Sequence, residues 1–411
     1  MSVAPPKMDD ADLLDRMALV TQALRPAAPI DRRSLFAGRS EQISDVFAVV
    51  AQPGQHAVIY GERGVGKTSL AGVTAEMLGS ADVVTARATC NASDDFASVW
   101  QQVLDEIVIH STSPALGFGD RQEASSRSAS DLLGSGTVTP NAVRRALESV
   151  TQLGQLVIFI DEFDRLRDPD SRILFADTIK TLSDRVVDVT IFLIGVADSV
   201  GELIREHRSI ERALAQIHMP RMTPAELAEI ATRGIATARM EIAGGAVKKI
   251  TTLSQGLPHY TQLLTQLAAQ TALGRRRAEV TSRDVDVAVA RAIERAHQSI
   301  VEAYRDATVG EQRSVYPQLL LACALADEDE FGFFAASDVR DALGRILDKP
   351  PGSAAFARQL DELSGDDRGP VLQKHGAASA VRYRFVDPLL QPYVAMRGVS
   401  ERVVRVQDLH H

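Results

Sequence analysis

Residues 56–73 read HAVIYGERGVGKTSLAGV and decide the fold. A short apolar run leads into three glycines and a lysine, and a segment compatible with a helix follows. Residues 61–68 fit the pattern G-x-x-x-x-G-K-[ST] without a mismatch. Glycines there let the backbone turn its N–H groups onto a phosphate, and the flanking strand and helix supply the required context. The stretch predicts a phosphate-binding loop, called the P-loop below, rather than a flexible turn.

Two side chains of the P-loop have predicted roles in binding a nucleotide. Lys67 is expected to reach the β- and γ-phosphates, and the Thr68 hydroxyl is expected to hold Mg²⁺. The helix that begins near Thr68 directs the positive end of its dipole to the same anion. The residues expected to contact ATP or ADP here are Gly61, Glu62, Arg63, Gly64, Val65, Gly66, Lys67, Thr68 and Ser69.

A second apolar run, residues 156–160, is followed by Asp161 and Glu162. Mg²⁺ keeps several waters and needs few carboxylates, so one acid at a strand end can hold it. A second acid beside it can polarise an attacking water. We expect Asp161 to bind Mg²⁺ and Glu162 to be the catalytic base. This pair favours hydrolysis of ATP to ADP over transfer of a phosphoryl group to a substrate.

The composition of the chain limits the class of protein. The 411 residues are 45% hydrophobic with few aromatics, which favours helices packed on a central sheet. The formal net charge of −9 argues against a bulk neutraliser of nucleic acid but leaves room for a local basic patch. Two cysteines exclude a disulfide framework. Because the sequence shows neither a secretion signal nor an apolar run of about 20 residues, we expect a cytoplasmic protein without a membrane span.

The order of the apolar runs predicts an α/β core followed by helical units. A parallel sheet with crossover helices is expected from strands at 56–60, 83–89, 156–160, 189–194 and 215–219. Residues 111–137, rich in Ser and Gly, are expected to form a mobile surface loop. The expected units are a peripheral arm (1–33), the core (34–221), an all-α lid (222–305), a winged helix (306–400) and a tail (401–411).

The chain resembles the AAA+ ATPases, particularly the origin-recognition and Cdc6-like clade and the related signalling ATPases called STAND. The resemblance covers about residues 35–399. Leu35-Phe-Ala-Gly-Arg39 is similar to the stretch of that clade that lies near the adenine. Residues 61–68 and Ile160-Asp-Glu-Phe-Asp164 are similar to its Walker A and Walker B motifs. The resemblance implies a P-loop ATPase core with a helical lid and a C-terminal winged helix, and ATP or ADP with Mg²⁺ as the ligands.

The resemblance also implies polar residues beyond the Walker motifs. Asp198 or Ser199 stands at the end of the next strand, where the family carries its sensor-1 residue. Arg212, or else Arg208, stands where the origin-recognition clade has an arginine that reaches the ATP of a neighbouring subunit and stabilises charge on the transferring phosphoryl group. A solvated basic segment is the alternative for these arginines. An arginine finger at Arg212 implies self-association.

The lid departs from the origin-recognition pattern. Where that clade has a sensor-2 arginine, this chain reads Gly256-Leu-Pro258-His259, which is closer to the Gly-x-Pro motif of STAND ATPases. The resemblance implies that Pro258 and His259 contact the nucleotide; a helix-start proline with a surface histidine is the alternative. The charge of a histidine varies near neutral pH, so we expect slow hydrolysis, which suits a switch better than a motor. Arg275-Arg276-Arg277 is expected to be a solvated loop rather than a phosphate contact.

The winged helix leaves two functions open. Its wing carries a basic cluster suited to the backbone of duplex DNA, namely Lys374, Arg382 and Arg384, which supports an ATPase of initiator or loader type. Its third helix is not basic, and the lid motif and acidic balance support a signalling switch that acts through a protein partner without DNA. The intact Asp161-Glu162 pair disfavours a third option, a scaffold that binds nucleotide without hydrolysing it. No effector domain is visible in the sequence.

Overall fold

The computed structural model of the chain describes residues 8–30, 33, 36–79, 83–114, 122–196, 210–309, 315–347, 352, 356–376 and 380–409. The strands in chain order are β1 His56–Tyr60, β2 Val84–Thr89, β3 Val108–Pro114, β4 Gln122–Ser128, β5 Leu156–Asp161, β6 Val189–Gly195, β7 Leu214–His218, β8 Glu241–Ile242, β9 Glu279–Val280, β10 Phe334–Ala335, β11 Leu372–His375 and β12 Arg382–Phe385.

Five of these strands form the central sheet, in the order β2-β5-β6-β1-β7. All neighbouring pairs are parallel, and the five strands match the five runs predicted from the sequence, so the predicted α/β core is confirmed. Alternate residues of β5 pack into different apolar clusters, Val157 and Phe159 into one, Ile158 and Ile160 into the other. Apolar layers therefore cover both faces, which explains why β5 and β6 are predominantly apolar.

The helices alternate with the strands in the core and then follow one another without a long strand. Those of the core are Ser40–Val50, Lys67–Gly79, Phe96–Asp105, Pro140–Val150 and Pro169–Asp184. Those of the lid are Pro224–Thr237, Gly244–Leu253, Pro258–Gly274 and Ser282–Glu294. The first lid helix begins as predicted, because Thr223 and Glu226 form a capping box. Within the described ranges, no helix is long and apolar enough to cross a membrane.

Residues 298–409 form a further unit, called the C-terminal unit below. Its helices are Gln298–Thr308, Tyr316–Ala324, Ala336–Ile346, Ala357–Leu363 and Leu390–Ser400. Its small antiparallel sheet has β12 between β10 and β11. The three middle helices precede the β11–β12 hairpin. The first helix packs against the second and the last, so the lid boundary predicted at 305 falls inside a helix of this unit.

The prediction of a surface loop at residues 111–137 is wrong for the described residues 111–114 and 122–133. β3 and β4 pair antiparallel, from Val108 with Ser128 to Pro114 with Gln122. A short 3-10 helix, Ala129–Leu133, follows and packs against the core helices on either side of it in the chain. The polar composition predicts that the backbone groups of this segment bind water. Instead, the two strands hydrogen-bond to each other.

The N-terminal arm is not peripheral, contrary to the prediction. Its helix, Asp10–Ala23, packs against the lid helices Pro224–Thr237 and Pro258–Gly274. Leu24, which follows the arm helix, is only 1% exposed. The side chain of Gln266 donates to the Leu24 carbonyl at 2.7 Å. The arm is thus fixed to the lid before it reaches the core.

Leu24 and Gly234 provide a test of this packing, because a Cβ at Gly234 would lie 2.5 Å from Leu24 Cδ2. Leu24→Ala is expected to lower the free energy of unfolding by about 2–5 kcal/mol. Gly234→Ala added to Leu24→Ala is expected to recover about 1 kcal/mol, because it fills part of the cavity and favours the helix. In the wild-type background, Gly234→Ala should not raise the free energy of unfolding, because the new Cβ collides with the Leu24 side chain. Urea unfolding of the four proteins measures the interaction.

Leu14 is the matched control, because it lies on the arm helix with 70% of its side chain exposed. Leu14→Ala should change the free energy of unfolding by less than about 0.5 kcal/mol. If the effects of Leu24→Ala and Gly234→Ala add to within about 0.5 kcal/mol, the two positions do not meet and the arm does not pack here.

Candidate nucleotide-binding site

The P-loop turns tightly between β1 and the helix Lys67–Gly79. Gly66 has φ of +100°, which other residues rarely adopt. A Cβ at Gly61 would collide with the carbonyl oxygen of Met219, so this close approach also requires glycine. Lys67 Nζ donates to the carbonyls of Gly61 at 3.0 Å and Glu62 at 2.9 Å. The loop thus orients the ammonium with two of its three donors and leaves one for a phosphate.

A cavity of about 830 Å³ opens beside the P-loop. Its volume lies within the range of roughly 300–1,000 Å³ found for small-molecule sites. Five parts of the chain line it together: the arm, the P-loop, the carboxyl ends of β5 and β6, the lid, and the C-terminal unit through Leu389. Its lining includes residues 25–30, 36–37, 63–69, Asp161, Glu162, Gly195, Val196, Met222, Ile230, Pro258 and His259.

Residues 63–69 of the predicted nucleotide contacts line the cavity, and Gly61 and Glu62 do not. The Glu62 carboxylate instead binds Arg221, with 2.5 Å between Glu62 Oε2 and Arg221 Nε. The Glu62 side chain therefore does not face the cavity. Glu62 takes part in the site only through its backbone carbonyl, which accepts a hydrogen bond from Lys67. The aliphatic and aromatic part of the cavity includes Phe36, as expected for the stretch assigned to the adenine.

Thr68 and Asp161, the predicted Mg²⁺ ligands, both line the cavity. Asp161 is 8% exposed, and its Oδ1 accepts a hydrogen bond from the backbone N–H of Glu162 at 2.8 Å. Hydroxyl and carboxylate oxygens are the hard donors that Mg²⁺ prefers, and its remaining ligands are commonly water and phosphate. Among the described residues, no group of three or more His, Cys, Asp or Glu is placed to hold a metal. The two-residue donor set fits Mg²⁺ bound together with a nucleotide.

Glu162, the predicted base, follows β5 in a left-handed conformation with φ of +52° and ψ of +36°. This conformation is uncommon for a residue other than glycine. The Glu162 carboxylate forms an ion pair with Arg165 at 2.7 Å, and about half of each side chain is exposed. Exposed ion pairs contribute only about 0–1 kcal/mol, so Glu162 can exchange Arg165 for a water at the edge of the cavity.

Asp164 is a site residue that the sequence interpretation missed. Its Oδ1 accepts from the backbone N–H of Val196 at 3.2 Å, which connects the chain after β5 with the chain after β6. Burial lowers the pKa of Lys67, and the charges of Asp164 and then Asp161 oppose this effect. Asp164 therefore helps to keep the ammonium charged. The signal was available, because Asp164 ends the Walker B-like stretch.

Arg39 also has a role that the sequence did not show. It is 3% exposed and has φ of +60°. Its guanidinium donates to the carbonyls of Val65 at 3.0 Å and Pro220 at 2.6 Å. Its backbone N–H donates to Glu226 of the lid at 3.0 Å. Arg39 thus fixes the P-loop to the junction between core and lid.

The structure describes only one of the residues predicted as sensor 1 or as the arginine finger, namely Arg212. Asp198, Ser199 and Arg208 lie outside the described residues. Arg212 is exposed in the turn before β7 and does not line the cavity. A contact between Arg212 and ATP would therefore involve the ATP of a second chain.

Pro258 and His259 both line the cavity. Pro258 is the first residue of its lid helix and faces Gly66 of the P-loop. His259 Nδ1 lies 2.8 Å from the carbonyl oxygen of Pro26, so Nδ1 carries the proton and donates. Burial lowers the pKa of His259, and a neutral ring then offers only an acceptor at Nε2. The geometry favours anchoring of the arm over the predicted phosphate contact of His259.

The family of this chain follows from a match to a known family model. The family model described as novel STAND NTPase 1 matches residues 26–331, from the arm through the lid and into the C-terminal unit. The chain belongs to the novel STAND NTPase 1 family. The predicted P-loop NTPase with STAND features is confirmed by this match. No curated protein matches the sequence.

Solved structures give the fold of this STAND NTPase. A Walker-type ATPase of Pyrococcus abyssi has a TM-score of 0.51 and 16% identity, over 90% of this chain and 98% of that one. Cdc6p of Pyrobaculum aerophilum has a TM-score of 0.47 and 11% identity, over 94% and 99%. The ORC1 protein of Aeropyrum pernix in complex with DNA has a TM-score of 0.45 and 16% identity, over 88% and 92%. The first of these similarities shows a shared fold and nothing beyond the fold.

The basic residues predicted to bind DNA lie on two faces of the β11–β12 hairpin of this STAND NTPase. Lys374 lies opposite the residue between Arg382 and Arg384, and side chains alternate between the faces of a strand. Lys374 forms an ion pair with Asp361 at 2.6 Å, and Arg382 forms one with Asp329 at 2.6 Å. The predicted cluster is therefore not a single patch, and Lys374 and Arg382 are each paired with an acid.

The arginines 275–277 lie in an exposed turn, as predicted, with 52%, 49% and 36% of their side chains exposed, but each also has a partner in the protein. Arg275 and Arg277 both bind Asp284, whose side chain is fully buried, at 3.2 and 2.5 Å. Arg276 donates to the carbonyl of Met8 at 2.8 Å. Arg275 and Arg277 therefore stabilise the lid itself, and Arg276 joins the lid to the arm.

Proposed function

We propose that this STAND NTPase is a slow, Mg²⁺-dependent ATPase whose nucleotide state controls its contacts with a protein partner. One observation carries the proposal: a single cavity is lined by the P-loop, by Asp161 and Glu162, and by the lid proline Pro258. These are the groups needed to bind a nucleoside triphosphate and to activate a water beside it.

The chain's own residues have defined tasks in this proposal. Lys67 binds the β- and γ-phosphates with the donor that the loop carbonyls leave available. Thr68 and Asp161 hold Mg²⁺, which when bound neutralises charge on the phosphate oxygens. Glu162 orients and polarises the attacking water. Asp198, if it is the sensor-1 residue, contacts the phosphate from the segment after β6.

Two features of the site support a switch over a fast motor. Arg165 occupies one oxygen of the Glu162 carboxylate, and this pairing weakens Glu162 as a proton acceptor for water. His259 is engaged by the arm carbonyl of Pro26, so the lid offers no arginine-like cation to the phosphates at this position. Both features lower the rate without removing any group that hydrolysis needs.

A protein is the favoured partner, and duplex DNA is the alternative. DNA binding would use Arg382 and Arg384 on one face of the wing, if the C-terminal unit acts as a winged helix. Arg382 is already paired with Asp329, and the chain carries a net charge of −9. Breaking such pairs on binding reduces the gain from neutralising phosphates, so the wing is better suited to a protein surface.

Replacement of Glu162 tests the assignment of the base. Glu162→Gln removes the proton acceptor but keeps the side-chain size, so ATP binding should persist while turnover falls by about 10²–10⁴-fold. Steady-state release of phosphate and binding of labelled ATP measure the two effects. Glu148→Gln is the control, because Glu148 also forms a partly exposed pair with an arginine, Arg144, but lies outside the cavity. Equal turnover of Glu162→Gln and the wild type would remove Glu162 from this role.

Turnover measured against protein concentration tests self-association and the choice of partner. If Arg212 reaches the ATP of a second chain, turnover per chain rises with concentration in the wild type and stays low and flat in Arg212→Gln. Because we propose a protein partner, duplex DNA should leave both curves unchanged. A rise on adding DNA that Arg382→Gln and Arg384→Gln abolish would contradict the protein-partner proposal and favour the DNA alternative.

A further inference from the structure

Arg221 connects three parts of the chain that are remote in sequence. It lies between β7 and the first lid helix, and Arg221 Nε binds the carboxylate of Glu62 at 2.5 Å. Its Nη1 binds Glu328 at 2.9 Å and donates to the side chain of Gln391 at 2.5 Å, and both of these residues belong to the C-terminal unit. The three charged side chains are between 11% and 19% exposed, so water screens their interaction weakly.

The C-terminal unit also packs directly on this part of the P-loop. A Cβ at Gly332 would collide with the Glu62 carboxylate. Phe331 immediately precedes Gly332. The centre of its ring lies 5.2 Å from the centre of the His218 ring at the end of β7. Residues 326–335, called the docking loop below, therefore lie against Glu62 and the end of the central sheet.

Glu62 has two ends with different partners. Its carboxylate is held by Arg221, and its backbone carbonyl accepts the bond from Lys67 Nζ at 2.9 Å. The position of residue 62 thus affects where the Lys67 ammonium points. A lysine that is already oriented pays less entropy when it binds a phosphate.

The number of charges in this cluster is unbalanced, because two carboxylates face one guanidinium. Burial raises the pKa of Glu328 to about 7 from 4.5, although Arg221 acts to lower it. The other groups that face Glu328 are Glu62, Asp329 and Gln391. Glu328 Oε1 has no hydrogen-bond partner among the described residues, as suits a carboxyl that takes up a proton near neutral pH.

We propose that Arg221 is a positioning residue for the nucleotide site, which acts by holding Glu62 against Glu328 and so fixes the carbonyls that orient Lys67. Docking of the C-terminal unit and binding of nucleotide then favour each other, and by linkage each strengthens the other to the same extent. The inference rests on the proposed function only in that the cavity must bind a nucleotide.

The sign of the pH effect follows from the raised pKa of Glu328. The docked state holds the proton more tightly than an exposed glutamate does, so protonation favours docking. Docking is strongest below the ordinary value of 4.5 and weakens as the pH rises through about 7. Nucleotide affinity should fall over the same window.

The test uses the full chain and a fluorescent ADP carrying an N-methylanthraniloyl group, in the presence of Mg²⁺. Arg221→Met keeps an unbranched apolar stem and removes the guanidinium, so the affinity for this ADP should fall about tenfold, which lies within the usual range of coupling between two sites. Arg277→Met is the control, because it removes a cation from a fully buried carboxylate, that of Asp284, which lies in the lid away from the cavity. Its affinity should stay within about twofold of the wild type.

Two further measurements separate positioning from general destabilisation. ADP should slow hydrogen exchange of the docking loop in the wild type and not in Arg221→Met. Glu328→Gln removes the excess carboxylate and should bind ADP equally well at about pH 6 and about pH 8, whereas the wild type binds more weakly at the higher pH. Glu328→Gln does not leave a charge buried, so it keeps the test valid if Arg221→Met fails to fold.

The outcomes distinguish this inference from the proposed function. If the wild type does not bind the fluorescent ADP, both are wrong. If it binds, but Arg221→Met binds equally well or the docking loop does not respond to ADP, only the role of Arg221 is overturned. An unchanged pH dependence in Glu328→Gln would overturn the role of Glu328 in the same way.

Discussion

The buried ammonium of Lys67 is the group on which the rest of the site depends. Burial lowers its pKa, and the charges of Asp164, after β5, and Asp161, the last residue of β5, oppose this effect. Two loop carbonyls orient it, and those carbonyls can approach only because glycine occupies position 61. The parallel sheet supplies this arrangement, since the carboxyl ends of its strands meet at one edge.

The fold around Lys67 closes the cavity from three directions. The arm reaches the P-loop, where the Ile30 N–H donates to Ser69 Oγ at 3.0 Å. The lid contributes Pro258, and Arg39 fixes the junction between lid and core to the Val65 carbonyl. The C-terminal unit adds Leu389, whose backbone carbonyl accepts from the Tyr260 hydroxyl of the lid at 2.8 Å. Nucleotide bound here would contact or affect every unit of the chain, as a switch requires.

The sequence predicts the parts of this site that depend on local patterns. The five strands, the P-loop and the acids after β5 follow from short apolar runs and fixed spacings, and the first lid helix follows from its capping residues. The contacts that the sequence did not predict join distant residues. Arg221 and Glu62 are 159 positions apart, and His259 and Pro26 are 233 apart, so no spacing rule connects them. The hairpin of β3 and β4 was missed for a related reason, because pairing with a partner strand outweighs a polar composition.

The family match and the geometry of the wing concern different parts of the chain. The novel STAND NTPase 1 match begins at residue 26, so it includes the end of the arm, whose role in lining the cavity the sequence did not reveal. The wing carries Lys374 on the face opposite to Arg382 and Arg384, which argues against one surface for duplex DNA. The proposal of a switch that acts through protein contacts rests in part on this separation of the wing's cations.

Hydrogen exchange with and without ADP and Mg²⁺ tests the central claim most directly. If nucleotide binds in the cavity described, amide exchange slows together in three separate segments, residues 26–30 of the arm, 61–69 of the P-loop and 258–262 of the lid. Mg²⁺ alone should leave all three unchanged, and Lys67→Ala should abolish the ADP effect in all of them. Slowing confined to one segment, or an equal effect in Lys67→Ala, would contradict a single nucleotide site built from arm, P-loop and lid.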